Sequence, residues 1–583
     1  MSKKPAKKGS SKSAYKAAAA KKGAAKKAGA AKKGAAAKPA GGGASAAAPG
    51  AVAPTTENPK LAKEFKPAET AKFLRDLFRF HGDRPRGADF YPKSPSFEGR
   101  FGRMFRALPS ALFDEGDLRK LAAAMVAPRE AEDEGDEKDA EENHGIDAGY
   151  TYLGQFIDHD LTFDPASSLQ KQNDPDALVD FRTPRFDLDC IYGRGPDDQP
   201  YLYEDDQVRM LLGRELSGVP HDPQTRDLPR NSPAGGGRER ALIGDPRNDE
   251  NVIVSQLQAT FLRFHNRVAQ VLPTLAGKES LANDPAELLR AVQREVRFHY
   301  QWVVVNDFLP TICGREVVRD VLPSRDVVHN KPNLKFFRWQ KYPYMPIEFS
   351  AAAYRFGHSM VRPSYRLNTT LPNRFDILGE GEFTSLTGFR AFPESWAIDW
   401  SLFFNMRPDA PEEGPERLQK AYKIDTSLVN PLGQLPFVIA PNVPSLAERN
   451  LLRGLRMGLP SGQDVARFMG ETPLPDDRLR VGKATAEDSG GNPLLTDVSP
   501  RFAGKAPLWY YVLAEAQQQF DGNDDTPIKL GPVGGRIVTE VFVGLLYDDK
   551  HSFLWDTAWE PMVGFRVGDR FGIVELIRQA MQA

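Results

Sequence analysis

The sequence predicts a mainly α-helical fold with long loops and little β-structure. Apolar residues recur at three- and four-residue spacing through SQLQATFLRFHNRVAQVL (255–272) and PAELLRAVQREVRFHYQWVVVNDFL (285–309), the second running up to a proline. Regular strand alternation is scarce. Forty-seven prolines break the 583 residues into short pieces, which favours loops between the helices.

Taken in order, residues 1–60 are a low-complexity Lys/Ala/Gly/Pro segment with KKGAAKKAGAAKKGAAAK at its centre. Alanine and lysine favour helix, but recurring glycines and self-repelling charge oppose it, so a disordered basic tail is expected. Residues 1–40 hold thirteen lysines and no acid; against a whole-chain net charge of −1, the rest therefore carries about −14. Such a tail is either solvated or an arm for nucleic acid or another anionic surface. Order is expected from about Lys63, where EFKPAETAKFLRDLFRF has helical spacing, and a single domain is predicted over 67–583. PREAEDEGDEKDAEENHGID (128–147) is densely acidic and reads as a solvated, disordered surface loop. Shorter polar, Gly/Pro-rich insertions fall at 217–240 and 484–499.

Hydrophobic residues make up 40% and charged residues 27%, enough to bury a large core and enclose a cofactor. No apolar run approaches the roughly 18 residues of a membrane span, so no transmembrane helix is predicted. Two cysteines, Cys190 and Cys313, cannot supply a disulfide framework. The lysine-rich start has no apolar h-region of a secretory signal, so a cytoplasmic location is expected, with export by another route left open.

Five segments concentrate chemistry-bearing residues. Gly154–Asp160 reads GQFIDHD, and two carboxylates flank its imidazole. Adjacent helical residues point in different directions, so Asp158, His159 and Asp160 can each serve a different partner. A lone histidine of this kind is otherwise a satisfied structural one. In Thr183-Pro-Arg-Phe-Asp-Leu-Asp189, oxygen donors fall at Thr183, Asp187 and Asp189, with a carbonyl at Arg185. That set suits Ca²⁺ or is a plain acidic turn. GDPRNDEN (244–251) holds Arg247 and Glu250, which stand at ion-pair spacing for a helix. YRFGH (354–358) places a glycine before His358, so that something flat can approach the backbone. The fifth is Asn450-Leu-Leu-Arg453.

In this order and company the segments resemble the animal-type haem peroxidases of the peroxidase–cyclooxygenase superfamily, particularly bacterial members. GQFIDHDLTFDP is similar to the family's distal-histidine helix, FDLDCIYG to its calcium loop and DPRNDEN to its distal-arginine segment. YRFGHSMV resembles its proximal-histidine segment, and GPVGGRIVTEVFVGLL (531–546) a C-terminal stretch of bacterial members. The resemblance spans about residues 67–583 and says nothing of the tail.

The resemblance implies a haem peroxidase that reduces hydrogen peroxide and oxidises small anions such as halides or thiocyanate, or phenols. His159 would be the distal base, Arg247 the stabiliser of charge on the breaking O–O bond, and Gln155 a hydrogen-bonding partner in the distal pocket. His358 would ligate the iron of haem b, Asn450 would accept from its other ring nitrogen, and Arg453 would pair with a propionate. Asp160, Thr183, the Arg185 carbonyl, Asp187 and Asp189 would bind Ca²⁺ and so hold the neighbouring His159 in place. Asp158 and Glu250 match carboxylates that many members esterify to haem; Asn251 replaces a methionine that forms a third link in some. The sequence departs from the family at Leu455, Arg456 and Met457 after the asparagine motif, and at Phe264, where glutamate is usual.

Two other readings are weighed. A fatty-acid dioxygenase of the same superfamily needs a tyrosine three residues before the proximal histidine, where Arg355 stands; Tyr354 is expected to point elsewhere. A non-catalytic binding or adhesion scaffold would not need the full set of residues for peroxide cleavage.

Overall fold

A computed structural model describes residues 99–583 apart from 131–134, 164–178, 181, 234, 341 and 382. The expected basic tail and the helix at 64–80 lie outside the described residues. The described part is mainly helical, as the apolar spacing predicts. Its helices of eight residues or more are α1 (Glu115–Ala124), α2 (Gly149–Leu161), α3 (Val252–Val271), α4 (Pro285–Val303), α5 (Leu446–Arg456), α6 (Gly462–Met469), α7 (Leu508–Gln517), α8 (Pro532–Asp548) and α9 (Ile573–Ala580). The strands are short: β1 (Gly99–Gly102), β2 (Glu142–Asp147), β3 (Val179–Asp180), β4 (Met345–Pro346), β5 (Ser364–Tyr365), β6 (Phe375–Asp376) and β7 (Lys420–Tyr422).

Local chemistry sets the ends of the two long helices. The Asn251 side chain accepts from Ile253 and Val254 N–H at the start of α3, and Asp284 caps α4 with Pro285 in its first turn. Both arrangements satisfy backbone donors that a helix start leaves open. The 285–309 pattern reads as one helix, but the α-helix ends at Val303. One π-helical turn, Val304–Phe308, follows. This turn presents Asp307, whose carboxylate accepts from Tyr150 Oη at 2.7 Å and Ile573 N at 2.8 Å.

Three helices meet through aromatic rings. Phe156 of α2 stacks on Phe261 of α3 with centroids 4.4 Å apart, and Tyr300 of α4 sets its edge against both. Stacked and edge-on pairs of this kind add about 1 kcal/mol each beyond the area they bury. Phe542 of α8 then packs against Phe186, Phe349 and Tyr354. This core therefore fixes α2 relative to the segments carrying the acidic turn and His358. At the start of α2 the backbone passes so close to Phe404 that a Cβ on Gly149 would lie 2.3 Å from its ring.

The sheets clamp these segments. β1 pairs antiparallel with β3 (Gly99 opposite Asp180) and parallel with β4 (Phe101 opposite Met345). β2 pairs antiparallel with β7. This second pairing corrects the reading of 128–147 as a solvated loop: Asp136, Glu141 and Glu142 pair with basic side chains from far along the chain and Asp139 is buried, while Glu137 stays exposed. Glu142, 1% exposed, accepts from Arg362 at 2.6 Å and Arg417 at 2.7 Å. Asp136 accepts from Arg366 at 2.9 Å and Arg374 at 3.1 Å. Glu141 pairs with Lys483 at 2.7 Å, and Asp139 accepts from Tyr422. A dense acidic run looks like a solvated segment only while its cationic partners, here more than 200 residues downstream, are unseen.

Candidate haem and cation site

Helix α2 carries Gln155 and, one turn on, the consecutive Asp158, His159 and Asp160. His159 is 5% exposed, and its Nδ1 lies 2.7 Å from Asn248 Oδ1. The direction of that hydrogen bond follows from a chain of partners. The Cys190 carbonyl can only accept, and it takes a hydrogen bond from Gln258 Nε2 at 3.1 Å. Gln258 Oε1 then accepts from Asn248 Nδ2 at 2.9 Å. Asn248 is left with only its oxygen toward His159, so Nδ1 carries the proton and Nε2 is the basic nitrogen. Burial, followed by the nearby Arg247 charge, pulls the His159 pKa down to about 4. The imidazole is therefore neutral at pH 7.

Arg247 lies in the 3₁₀ turn Pro246–Asp249 that precedes α3. Its acidic partner is Asp245, to which Nε donates at 3.1 Å and Nη2 at 2.7 Å, rather than Glu250 at helical ion-pair spacing. Nη2 also donates to the His159 carbonyl at 3.1 Å, so the guanidinium is held beside the imidazole. Gln155 joins the remaining two residues: Nε2 donates to Glu250, and Oε1 accepts from Asn251 Nδ2 at 3.1 Å. Burial raises the Glu250 pKa to about 7 despite the opposing Arg247 charge. Asp158 accepts from Thr162 Oγ1 at 3.0 Å.

His358 ends the 3₁₀ helix Ala353–His358. Trp509 of α7 steadies this segment by donating Nε1 to the Arg355 carbonyl at 3.1 Å. His358 Nδ1 is 2.7 Å from the amide of Asn450 on α5. The amide nitrogen faces the ring, whereas the sequence reading requires the oxygen there; a half-turn of the amide exchanges the two without moving the contact. Burial, then the charges of Arg355 and Arg449, pull the His358 pKa down to about 3. An unprotonated imidazole is the form that ligates metal. A Cβ on Gly357 would meet nothing within 4 Å, so the space beside it is open, as a flat ligand requires. Arg453 lies three residues after Asn450, on the same face of α5.

Asp160, Asp187 and Asp189 bring their carboxylate oxygens within 4.8 Å of one another. Leu188 between the last two has φ 58° and ψ 41°, a left-handed conformation unusual for a leucine. That kink lets carboxylates on either side of it face one point. Thr183 Oγ1 touches Asp187 at 3.3 Å, and Arg185 N closes a tight turn onto the Thr183 carbonyl at 2.7 Å. Among these three carboxylates Arg182 pairs with Asp189, and a group of three this close and largely buried suits a further cation; hard oxygens suit Ca²⁺. Asp160 adjoins His159, so an ion here would restrain the residue next to the imidazole.

Sequence reasoning missed Asn248, Gln258, Asp245 and Arg182. The first and third lie inside GDPRNDEN, but no periodicity distinguishes them there. Their roles depend on partners elsewhere in the chain, and Arg182 is a further case of this kind. The Tyr354 hydroxyl donates to the Gly154 carbonyl of α2 at 3.2 Å.

Residues 169–386 match the family model described as animal haem peroxidase. Rat thyroid peroxidase is 28% identical over 278 residues, covering 47% of this chain and 28% of that protein. Chorion peroxidase of Aedes aegypti is 32% identical over 130 residues, 22% of this chain and 15% of that protein. The chain thus spans less than a third of the length of these curated relatives. Peroxidase A from Dictyostelium discoideum superposes with a TM-score of 0.51 at 16% identity, covering 79% of this chain and 89% of that one. The fatty acid alpha-dioxygenase of Arabidopsis thaliana superposes with a TM-score of 0.50 at 15% identity, covering 88% and 83%. The fold is therefore the one these two proteins share, and the sequence similarity within it supports a place in the peroxidase–cyclooxygenase superfamily.

Proposed function

We propose that the chain is a haem peroxidase that reduces hydrogen peroxide and oxidises small anions such as halides or thiocyanate, or phenols. One observation carries this reading. Two neutral histidines, His159 and His358, each rest through Nδ1 on an asparagine, and the first has a guanidinium beside it. The residues around His358 fit haem b: the imidazole would ligate the iron, Gly357 leaves room, and Arg453 would meet a propionate. When bound, the haem iron supplies the centre at which peroxide takes up two electrons.

His159 Nε2 takes a proton from the bound peroxide and returns it to the leaving oxygen, which departs as water. Asn248, by accepting from Nδ1–H, leaves the Nε2 lone pair ready to take that proton and the imidazolium only Nε2–H to return. Arg247 stabilises negative charge as the O–O bond breaks. Gln155 holds Glu250 and orders the polar wall of the pocket. Asn450 fixes the His358 ring, and with its oxygen turned to Nδ1 it makes Nε2 the more basic ligand. Asp158 and Glu250 are the carboxylates available for ester links to haem. Asp160, Asp187 and Asp189, with Thr183 and the Arg185 carbonyl, would hold Ca²⁺. The lysine-rich tail is the part suited to nucleic acid or an anionic surface.

A fatty-acid dioxygenase is the second reading, because the fold is shared with such an enzyme. Against it, Arg355 occupies the position three residues before His358, and an arginine cannot form the needed radical.

The test is the visible spectrum of haem-loaded protein before and after one equivalent of peroxide. The expected result is a ferric haem band that converts, then recovers on adding iodide or a phenol. His159→Ala keeps the haem and loses the conversion. A folded chain that takes up no haem overturns the reading. Haem that extracts fully into acidic organic solvent after peroxide treatment overturns the ester links alone. A salt-sensitive DNA mobility shift that survives deletion of residues 1–60 removes the role given to the tail.

A further inference from the structure

Arg182 lies between the two halves of the distal site, and neither half accounts for it. Its Nη1 donates to Asp189 of the acidic cluster at 3.2 Å. Its Nε donates to Asp245 Oδ2 at 3.1 Å, Nη2 contacts the same oxygen, and Nε also reaches the His159 carbonyl at 3.3 Å. Arg247 uses the same two acceptors, Asp245 and the His159 carbonyl. Both guanidiniums also lie over the ring of Phe163, at 5.4 Å for Arg182 and 4.5 Å for Arg247. The backbone of Arg182 is fixed independently, since its N–H and that of Phe163 both donate to Asp180 Oδ1.

We infer that Arg182 is a positioning residue that couples the Asp160–Asp187–Asp189 cation site to the orientation of Arg247. This rests on the cation site of the proposed function. Asp245 is wholly buried and serves two guanidiniums, so the two compete for one carboxylate. Arg182 is a rigid planar fork, and Asp189 holds its other prong. A divalent cation that takes charge from Asp189 weakens that hold and shifts Arg182 toward Asp245. Arg247 then grips Asp245 less firmly, and its N–H groups become available to the pocket. Linkage makes the effect reciprocal: a change in how Arg247 holds Asp245 must alter cation affinity. The coupling passes through hydrogen-bonded contacts that are buried around Asp245 from Arg182 and part-buried at Asp189 and Arg247, where a pairwise effect exceeds that of an exposed pair.

The test is a double-mutant cycle on the Ca²⁺ dissociation constant of the full-length haem-loaded protein, measured by chelator competition. Arg247→Lys keeps the charge but loses the fork, so long-range attraction is held nearly constant. It should tighten Ca²⁺ binding about fivefold or more when Arg182 is present, and less than about twofold in the Arg182→Gln protein. Arg182→Lys serves as the second background should Arg182→Gln fail to fold; it too lacks the fork. Equal effects of Arg247→Lys with and without Arg182 overturn the coupling and leave the cation site standing. A wild-type chain that binds no Ca²⁺ overturns both.

Discussion

Nδ1 of His159 lies 2.7 Å from Oδ1 of Asn248, and the polarity of that contact is set three residues away in the chain of partners, at the carbonyl of Cys190. The distal base is thus held in one tautomer by neutral amides, without a charged partner on Nδ1. Asn248→Leu keeps the volume and removes the acceptor. It should slow the reaction with peroxide by about 10- to 100-fold while haem content stays unchanged, the range usual for a residue that orients a functional group. Gln258→Leu should act in the same direction but less, because Asn248 then keeps its oxygen on His159 only part of the time. Stopped-flow measurement of the peroxide reaction, with haem quantified beside it, checks both.

The pH dependence follows from the same environment. Burial and the Arg247 charge lower the His159 pKa to about 4, and only the neutral ring can take a proton from peroxide. The rate of reaction with peroxide should therefore stay level as pH falls from 7 toward 5 and drop as it passes through about 4. Asn248→Asp puts a negative charge beside Nδ1, which favours the imidazolium. Its acid limb should move to higher pH. A profile of the wild type that already falls near pH 6.5 would contradict the structural account of His159.

Legibility in the sequence tracked the range of the physics involved. Helices at 255–272 and 285–309 are visible because amphipathic periodicity is local, and both form. His159, Arg247, His358 and the acidic turn are visible because each lies in a short run of unusual composition. The π turn at Val304–Phe308 was hidden: a single inserted residue leaves apolar spacing almost unchanged, and only the Asp307 contacts reveal it. Asn248 reads as one polar residue among several until Gln258, ten residues on, is seen to fix its orientation. The left-handed backbone of Leu188 was equally hidden, since leucine gives no signal for it.

His265 and His299 provide a stability prediction away from the site. Both are fully buried, and burial lowers each pKa to about 4 from an ordinary 6.5. His299 accepts from Met562 N through Nε2 at 3.1 Å while Nδ1 sits 2.7 Å from the Glu295 carbonyl, so the neutral ring fits both partners. The unfolded chain binds protons here more readily than the native one. Stability is then complete above pH 6.5 and is lost as pH falls toward 4, by up to roughly 3 kcal/mol for each ring. Glutamine can supply one donor and one acceptor without titrating. His299→Gln should flatten the loss of denaturation midpoint between pH 6.5 and 4 by about one proton's worth, read from denaturant curves across that window.

The acidic segment gives the last prediction. Glu142 is 1% exposed and receives Arg362 and Arg417, which are themselves almost fully buried. Two cations on one carboxylate hold its pKa below the ordinary range against a burial penalty that works the other way. Glu142→Gln keeps the shape but leaves two guanidiniums facing a neutral amide at the β2–β7 pairing. Removing one partner from a buried ion pair costs about 3–5 kcal/mol, because the charge left behind is uncompensated. Arg417→Met deletes one of the two cations and leaves Glu142 paired with Arg362, so it should cost less. If Glu142→Gln unfolds at the same denaturant concentration as the wild type, the segment is the solvated loop its composition suggests, and its strand contributes nothing to the fold. If it unfolds earlier while Lys138→Ala, on the exposed pair with Asp525, does not, the stabilising acids are those that reach the interior arginines.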